Sequence, residues 1–398
     1  KMKRFFLVPE AQALIRIVHI LKEELNLINM LKSFLDNFEP RSLFIFSILV
    51  LCAFGLVMVF SSSSVSAMEN HADAYYFLRK QSIYLVIGLS AFGISSLLNI
   101  EKIEKNYKFF YFLGILLLLL ILIPGISKTA GGASRWINLG IFSFQPIELS
   151  KYFLIIFISK HLIVKKEKIK NFKIGVLSPF ILSIPYVFLL LYQPDFGNTV
   201  LLLSTVFLMI IIAGAKLKHL IIVFSFLLSS FILLILAAPY RMKRLLAFLN
   251  PYEDPQGSGY QIIQSFISFA KGQFFGVGLG NSSQKLFFLP QGHNDFIFAI
   301  IAEELGFIGC IFTIVLFSLL FYSAYKLIRK NKDQFSKYLI SGILMITIMQ
   351  VILNISVSIG LMPTKGVPLP LISYGGSSLI FTLGSLGLIL GLDRRRKQ

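Results

Sequence analysis

One aspartate at the end of the longest polar loop could supply acid–base chemistry. Residues 239–295 form the only long segment of mixed polarity between apolar runs, and Asp295 stands where this segment meets the apolar run that begins at Phe296. A carboxylate at such a boundary can accept a proton from a substrate hydroxyl group. The position would equally suit a helix N-cap, because an Asp side chain accepts hydrogen bonds from free backbone N–H groups. The sequence leaves both roles open.

Three basic residues at one end of the apolar runs could bind a polyanion. Arg135 and Lys365 lie in connecting segments rich in Gly, and Lys151 lies near the start of an apolar run. Arg and Lys form charge-assisted hydrogen bonds with phosphate oxygens. The three side chains could therefore converge on a polyanionic headgroup such as a pyrophosphate.

Two charged residues within one apolar run point either to an ion pair or to a cavity. Glu148 and Lys151 are three residues apart, so a helix would place them on one face. Charge inside a membrane span is unfavourable unless it is paired or faces a cavity. A purely structural ion pair and a place in a substrate cavity both remain open. Asp195, the only charge in the short turn 193–198, would join Glu148 and Asp295 as a carboxylate near the bound headgroup.

Three more polar residues lie within apolar runs, namely Glu303, Glu304 and Asn354. Each is costly in a hydrocarbon environment unless it is bonded or faces a cavity. We expect Glu303 and Glu304 to bond to neighbouring helices, and Asn354 to play a similar structural role.

The apolar runs that position these residues indicate an integral membrane protein. Of the 398 residues, 56% are hydrophobic and 14% are charged, with a mean hydropathy of +0.78, whereas a soluble domain has roughly 25% charged residues. Runs of about 20 apolar residues can cross a hydrocarbon core, and they lack the alternation of membrane β-barrel strands. We predict an all-α polytopic fold with ten transmembrane helices, at residues 43–61, 82–99, 109–125, 146–164, 174–192, 199–214, 220–238, 296–325, 338–360 and 377–392.

The distribution of basic residues predicts which side of the membrane each connection occupies. The formal net charge is +19, but 26 Lys and Arg residues fall on the side of the two termini and only 10 on the other side. Such clustering is the signature of cytoplasmic loops, and it argues against a nucleic-acid partner. Both termini are therefore predicted to be cytoplasmic. The loop 239–295, between spans seven and eight, is predicted to face outward.

Three regions follow from this topology. Residues 1–42 are predicted to be a cytoplasmic segment in which apolar residues recur at helical spacing, as in a helix on the membrane surface. Residues 43–392 form the ten-span membrane domain, and residues 393–398 form a basic cytoplasmic tail. Met30 would begin a chain with an ordinary short leader, so residues 1–29 could be an upstream extension.

A set of motifs in the predicted outer connections and the span ends carries a family resemblance. They are Gly132–Gly140, Gln145–Lys151, Gln193–Gly197, Gly259–Gln261, Gly278–Gly280, Gln284–Lys285, Leu289–Pro290, His293–Phe298, Ala302–Gly306 and Pro363–Ser378. With these motifs the sequence resembles the SEDS family (shape, elongation, division and sporulation), and its division branch most closely. The resemblance covers about residues 40–393.

The resemblance implies a ten-span peptidoglycan glycosyltransferase that polymerises lipid II at the division septum. Such a protein lies in the bacterial cytoplasmic (inner) membrane with its active site on the outer face. It works beside a class B penicillin-binding transpeptidase and other divisome proteins, surrounded by membrane lipid. The family's catalytic aspartate maps onto Asp295. The resemblance and the charges together nominate a substrate-binding set of Arg135, Glu148, Lys151, Asp195, His293, Lys365 and Ser377. The family commonly has Glu and Thr where this chain has Gln291 and Asn294.

The implied reaction inverts the configuration at one sugar carbon and needs one general base. Asp295 would take the proton from the acceptor hydroxyl group, and Arg135, Lys151 and Lys365 would offset the charge on the departing pyrophosphate. A divalent cation such as Mg²⁺ or Mn²⁺ could share that role, although no cluster of ligand residues indicates one. Two alternatives remain open: a flippase that moves lipid II across the membrane, and a non-catalytic scaffold of the divisome.

Overall fold

The computed structural model describes residues 22, 37–123, 127–130, 133–138, 143–286 and 288–394. Nearly all of the amphipathic segment predicted at 1–42 lies outside the described residues, as do residues 395–398 of the basic tail. The thirteen α-helices of the described residues are α1 Pro40–His71, α2 Tyr76–Leu97, α3 Ile100–Lys105, α4 Tyr107–Leu120, α5 Pro146–Val164, α6 Ser178–Tyr192, α7 Phe196–Ile212, α8 Leu217–Leu236, α9 Pro239–Leu249, α10 Tyr260–Gly272, α11 Ile297–Lys330, α12 Gln334–Ser358 and α13 Gly376–Arg394.

Short irregular helical turns and one small sheet complete the described structure. Two 3-10 turns cover Lys166–Lys168 and Pro251–Glu253, and a π-helical turn covers Phe172–Leu177. The strands β1 Ser127–Ala130, β2 Ala133–Asn138 and β3 Ser143–Phe144 form an antiparallel sheet in the order β1-β2-β3. The sequence analysis did not predict this sheet, because its strands are short and lie within a Gly-rich connection.

The apolar runs fold as long helices, as predicted. Among the described residues, six helices are long and apolar enough to cross a membrane, and α4 and α7 are shorter apolar helices. The ten predicted segments overlap ten different helices. These are the six long helices, the shorter α4 and α7, and in addition α2 and α5. The count of ten spans stays a prediction. The largest difference in bounds is in α1, which continues ten residues beyond the predicted end at residue 61, through four serines and into Met68–His71. Two of these serines, Ser62 and Ser63, are buried, as is Ser61 at the predicted end, so packing extends the helix beyond its apolar run.

The helices pack into one core, and sequence neighbours are often not spatial neighbours. The main contacts join α2 with α13, α4 with α5, α1 with α11 and α7 with α12. Buried serine and threonine hydroxyls within the helices donate to backbone carbonyl oxygens one turn earlier; Thr347, for example, donates to Ile343 at 2.8 Å. This satisfies the hydroxyl groups where water is absent.

The loop 239–295 contains two helices that the sequence analysis did not predict, α9 and α10. Helix α10 packs on α11 so closely that a β-carbon at Gly272 would lie 1.8 Å from the carbonyl oxygen of Ala302. Helix α11 is interrupted at Gly306, whose φ of 66° suits glycine. At this break the N–H of Phe307 donates to the carbonyl of Gln273 at 3.0 Å. The loop is thereby anchored along the first turns of α11, directly after Asp295.

Candidate active site

A cavity of about 290 Å³ lies at the end of the bundle where the start of α7, the end of α8 and the turn before α13 meet. Its walls come from β2, the start of α7, the end of α8, helix α9 and the turn before α13. The lining residues are Arg135, Pro194, Asp195, Phe196, Gly197, Phe231, Ile235, Tyr240, Arg241, Arg244, Leu245, Pro363, Thr364, Lys365 and Gly366. Four of them are Arg or Lys and one is Asp, so the cavity is strongly basic and suits an anionic group.

The carboxylate of Asp295 adjoins this cavity through Gly366. A β-carbon built at Gly366 would lie 3.2 Å from Asp295 Oδ2, so any larger residue would press on the carboxylate. Asp295 is half-buried. Burial raises the pKa of its carboxyl group to about 6, while the positive charge of Arg244 acts to lower it. A carboxylate with this pKa is mostly ionised at neutral pH and is well matched to accept a proton there.

The alternative role of Asp295 as a helix cap is wrong. The N-cap position of α11 is Phe296, and no side chain caps that helix. The carboxylate is therefore not committed to the first turn of α11.

Three consecutive backbone carbonyls hold the Asp295 segment in place. The carbonyl of His293 accepts from the N–H of Tyr374 at 3.0 Å, and that of Asn294 accepts from Ser373 Oγ at 2.6 Å. The carbonyl of Asp295 accepts from Asn354 Nδ2 at 2.9 Å, and the same amide also donates to the carbonyl of Val367 at 2.9 Å. Asn354 is buried on α12, so this one side chain joins the aspartate segment to the turn that carries Lys365 and Gly366.

Helix α9 contributes two arginines to the cavity. Arg241 and Arg244 are three residues apart and therefore share a helix face. The Arg241 guanidinium lies 4.8 Å from the ring centroid of Phe196 and donates to the carbonyl of Leu234 at 2.8 Å. Arg244 Nη1 donates to the carbonyl of Thr364 at 3.3 Å. The sequence analysis missed both residues, although two arginines at this spacing directly after Pro239 were a usable signal.

Lys365 lies between two aromatic rings. Its ammonium nitrogen is 5.9 Å from the ring centroids of both Phe196 and Phe231. Burial lowers the pKa of the Lys365 amine to about 8, because its environment offers aromatic faces rather than water. An anionic ligand in the cavity would restore its preference for the charged form.

Arg135 and Asp195 line the cavity. Arg135 donates through Nε to the carbonyl of Gln193 at 3.3 Å and through Nη2 to the carbonyl of Pro194. Asp195 caps α7 by accepting from the backbone N–H and the side-chain amide of Asn198, at 3.2 and 2.8 Å. Arg135 therefore ties the small sheet to the start of α7.

Glu148 and Lys151 form a buried ion pair that does not line the cavity. Lys151 Nζ lies 2.7 Å from Glu148 Oε2, and both side chains are almost completely buried. Lys151 also interacts electrostatically with Asp195. The predicted pairing on one helix face is confirmed.

His293 and Ser377 lie away from the cavity lining. The His293 ring packs against Phe77 and Tyr374, with centroid separations of 4.8 and 5.8 Å. Burial lowers the pKa of His293 to about 4, so the ring is neutral at pH 7. Ser377 Oγ accepts from the backbone N–H of Gln145 at 3.2 Å and joins the starts of α13 and α5. Gln291 and Asn294 are the two positions near Asp295 at which this chain departs from the family pattern. They bind each other, with Asn294 Nδ2 donating to Gln291 Oε1.

Glu303 and Glu304 bind structural partners, but only Glu304 bonds to a neighbouring helix as expected, accepting from the Ser61 hydroxyl of α1 at 2.5 Å. Glu303 accepts from the backbone N–H and the hydroxyl of Ser283 at 3.0 and 2.8 Å, and from the Ser282 hydroxyl. Glu304 Oε1 lies 3.3 Å from Lys285 Nζ. The pair fastens the loop to α11. Lys285 is therefore buried in an ion pair and is not one of the basic residues of the cavity.

A second cavity, of about 350 Å³, continues from the first. The two share Phe196 and Phe231, and the second is lined almost entirely by apolar side chains of α7 and α8. A basic chamber thus opens next to an apolar one. In the part of the chain that the structure describes, no three His, Cys, Asp or Glu side chains are grouped closely enough to hold a metal ion.

Comparisons with known proteins give one consistent result. A model of the FtsW/RodA/SpoVE family, described as cell cycle protein, matches residues 41–398. A "Probable peptidoglycan glycosyltransferase FtsW" from Marinomonas mediterranea is 38% identical over 91% of this chain and 92% of its own length. The "Stage V sporulation protein E" of Bacillus subtilis is 38% identical over 89% of this chain and 97% of its own length.

Solved structures agree with the sequence comparisons. A chain from a peptidoglycan synthase complex, described as coordinating polymerization and crosslinking, has a TM-score of 0.74 and 31% identity, and covers 89% of this chain and 98% of that one. The rod shape determining protein RodA of Thermus thermophilus has a TM-score of 0.64 and 28% identity, with coverages of 89% and 97%.

Proposed function

Because the chain belongs to the FtsW/RodA/SpoVE family of cell cycle proteins, we propose that it is a peptidoglycan glycosyltransferase whose general base is Asp295. The observation that carries this assignment is the carboxylate of Asp295, held against Gly366 at the edge of a cavity lined by four basic residues. A base beside a cluster of cations is what a transfer with an anionic leaving group requires. The substrate that fits is lipid II, a disaccharide on a polyprenyl pyrophosphate.

The reaction follows from these positions. The 4-hydroxyl of the acceptor sugar attacks C1 of the donor sugar, and its proton passes to a carboxylate oxygen of Asp295. As the new bond from oxygen to C1 forms, the bond from C1 to the pyrophosphate oxygen breaks, and its electron pair leaves with the pyrophosphate. One displacement converts the α-linked donor into a β-1,4-linked product. Asp295 then releases the proton to solvent.

The basic residues stabilise the leaving group. Lys365, Arg241 and Arg244 surround the chamber that would receive the pyrophosphate, and their charges offset the negative charge that develops on it. Arg135 is already bonded to two carbonyl groups, so its main contribution is to shape the wall. The Glu148–Lys151 pair adds no free charge to the cavity.

The apolar chamber between α7 and α8 suits the lipid part of the substrate. Its shared border at Phe196 and Phe231 would let a pyrophosphate sit among the basic side chains while the polyprenyl chain extends between the helices. A class B penicillin-binding transpeptidase is the expected partner, because the synthase complex to which this chain is similar couples polymerization with crosslinking. The expected place of action is the outer face of the cytoplasmic membrane at the division septum.

Substitution of Asp295 by asparagine tests the assignment. The purified protein and its cognate transpeptidase would be given labelled lipid II in detergent, and polymer would be measured by gel. We expect Asp295→Asn to lower the rate by ~10²–10⁴-fold, because an amide cannot accept the proton. Detergent removes the bilayer, so flipping cannot produce the signal.

A matched control is available at Asp333, which caps α12 by accepting from the N–H of Ser336 at 2.9 Å. Asparagine caps about as well as aspartate, so Asp333→Asn should keep the parental rate. Abundant polymer from Asp295→Asn would remove Asp295 from the mechanism, whereas a parent protein that makes no polymer would favour the flippase or the scaffold.

A further inference from the structure

Helix α2 contributes none of the residues that line the two chambers, yet it binds the turn before α13 through a buried amide. The side chain of Gln81 is 1% exposed. Its Nε2 donates to the carbonyl of Ser373 at 3.1 Å, and its Oε1 accepts from the N–H of Gly375 at 3.4 Å. Gln81 therefore uses both polar groups of its amide on the backbone at either side of Tyr374.

The residues between these two bonds hold the segment that carries Asp295. Ser373 Oγ donates to the carbonyl of Asn294 at 2.6 Å. The N–H of Tyr374 donates to the carbonyl of His293 at 3.0 Å. The backbone that Gln81 binds is thus the same backbone that binds the two residues directly before Asp295.

The same turn also carries part of the basic wall of the cavity. Ser373 Oγ accepts from the N–H of Leu369 at 2.8 Å, and Lys365 and Gly366 precede Leu369 in this turn and line the cavity. A displacement of the turn would therefore change the distance between the carboxylate and the cations. Gln81 binds the turn at its end, next to the start of α13.

An aromatic contact extends the same face of α2. Phe77 lies four residues before Gln81, so a helix places the two side chains one above the other. The ring of Phe77 packs against the rings of His293 and Tyr374, with centroid separations of 4.8 and 5.0 Å. Helix α2 therefore contacts the segment before α11 directly as well as through the turn before α13.

Helix α2 offers a rigid support because it packs very closely along α13. A β-carbon at Gly88 would lie 2.6 Å from Leu383 Cδ1, and a β-carbon at Gly387 would lie 2.2 Å from the carbonyl oxygen of Phe92. Helices packed this closely resist sliding, because close-packed atoms transmit a displacement rather than absorb it. The support to which Gln81 fastens the turn is therefore fixed.

We infer that Gln81 is a positioning residue of the catalytic site. Through Ser373 and Tyr374 it fixes the segment of Asp295 relative to the basic wall of the cavity. Gln81 is not among the residues that line the cavity, so it acts through these backbone groups and not on the substrate. The catalytic consequence rests on the proposed function, whereas the coupling between the two segments is a property of the fold.

Replacement of Gln81 by methionine tests the catalytic consequence. Gln81→Met keeps the length of the side chain and removes both hydrogen bonds. We expect kcat for lipid II polymerisation to fall roughly tenfold with KM unchanged, since a displacement of about 1 Å can cost roughly 10²-fold in rate. A rise in KM without a fall in kcat would overturn the inference, because it would assign Gln81 to substrate binding.

The matched control is Gln350→Met, which makes the same exchange at a buried amide of α12. Gln350 has no hydrogen-bond partner among the described residues, so this variant should keep the parental kcat. An equal loss of kcat in Gln350→Met and Gln81→Met would attribute the effect to a disturbed core and would overturn the inference.

A double-mutant cycle tests the path of the effect. Ser373→Ala removes the hydroxyl group that binds the carbonyl of Asn294. Combined with Gln81→Met, it should lose clearly less than the product of the two single losses, because both changes act on one connection. Arg241 binds α8 and the ring of Phe196, so the losses of Arg241→Gln and Gln81→Met should multiply. Full multiplication in the pair with Ser373→Ala would overturn the inference.

Hydrogen–deuterium exchange separates this inference from the proposed function, because it needs no substrate. Exchange would be compared in residues 290–296 and 371–377 of the purified full chain. We expect faster exchange in both segments of Gln81→Met and parental exchange in both segments of Gln350→Met. A change confined to 371–377 would overturn the inference even where the parent polymerises lipid II. A parent that makes no polymer would refute the proposed function, and the exchange in 290–296 would still decide the coupling.

Discussion

The carboxyl group of Asp295 is subject to two opposing influences. Burial favours its neutral form and raises its pKa to about 6, while Arg244 favours the ionised form. Burial also favours the neutral form of Lys365, but for an amine this lowers the pKa, here to about 8. Both groups therefore change protonation close to neutral pH, as catalytic groups often do.

These two pKa values predict a bell-shaped dependence of kcat/KM on pH. Asp295 must be deprotonated to accept a proton, so activity should rise as the pH increases through about 6. Lys365 must be protonated to stabilise the leaving group, so activity should fall as the pH increases through about 8. The profile would be measured by initial rates of lipid II polymerisation.

Lys365→Arg separates the two limbs of this profile. A guanidinium stays charged at every accessible pH. The alkaline limb should therefore shift to higher pH or disappear, while the pH of the acid limb stays unchanged. If both limbs moved together, the alkaline limb could not be assigned to Lys365.

Arg244 offers a further prediction, because a matched residue lies beside it. Arg244 lines the cavity and acts on Asp295, whereas the neighbouring Lys243 is exposed and lies outside the lining. We expect Arg244→Gln to lower kcat by at least roughly tenfold, which is modest for the loss of one charge-stabilising group. Lys243→Gln should polymerise at close to the parental rate. Similar losses in both variants would mean that the basic residues act only as a general attractive field.

The elements that position the site are held together by hydrogen bonds between backbone carbonyls and side chains. The segment before α11 is joined to α12 by Asn354 and to the turn before α13 by Ser373 and Tyr374. Glu303 and Glu304 fasten the remainder of the loop to α11. Elements distant in sequence therefore fix the backbone of Asp295, so a loop of more than fifty residues can hold this side chain at the edge of the cavity.

Asn354 should be a positioning residue with an effect larger than its size suggests. Asn354→Ala removes donors from two carbonyl groups, those of Asp295 and Val367, and a displacement of about 1 Å can cost roughly 10²-fold in rate. We expect a loss of that order in kcat. Ser373→Ala removes the donor to one carbonyl of the neighbouring residue and should lose less.

Gln350 provides the control on the same helix. It is buried one turn before Asn354, and its amide has no hydrogen-bond partner among the described residues. Gln350→Leu should therefore fold and polymerise normally. A parallel fall in folded yield and kcat for Asn354→Ala would show that Asn354 supports the fold and not the site.

At the scale of the whole molecule, the bundle separates a basic chamber from the surrounding apolar surface. The chamber lies where α7, α8 and α9 meet the turn before α13, and an apolar chamber opens beside it. In the proposed reaction, the basic chamber receives the pyrophosphate and the apolar chamber receives the lipid chain. The predicted orientation of the bundle in the membrane rests on the excess of Lys and Arg at the opposite end.

The orientation can be tested by labelling single cysteines in intact cells. Cys52 and Cys310 are both buried and would be replaced by alanine. Lys170 and Gln256 are exposed positions on the two predicted sides. An impermeant reagent should label Gln256→Cys but not Lys170→Cys, and the opposite pattern would reverse the proposed topology.

The sequence by itself determined the class of fold and most of the chemical groups. Apolar runs of membrane length must become helices, because their backbone groups have no other partners in a bilayer. The motifs identified the family and Asp295, and the helical spacing of Glu148 and Lys151 predicted their pairing.

Only the tertiary structure decided which of these groups share a site. Arg135, Asp195 and Lys365 line one cavity, with Asp295 at its edge, whereas His293 and Ser377 serve as contacts between elements. Arg241 and Arg244 line the cavity because α9 forms part of its wall, and Lys285 does not line it because Lys285 pairs with Glu304. The physical reason is that membrane helices look alike in sequence. Their packing is set by contacts between residues far apart in the chain, and no local pattern encodes such contacts.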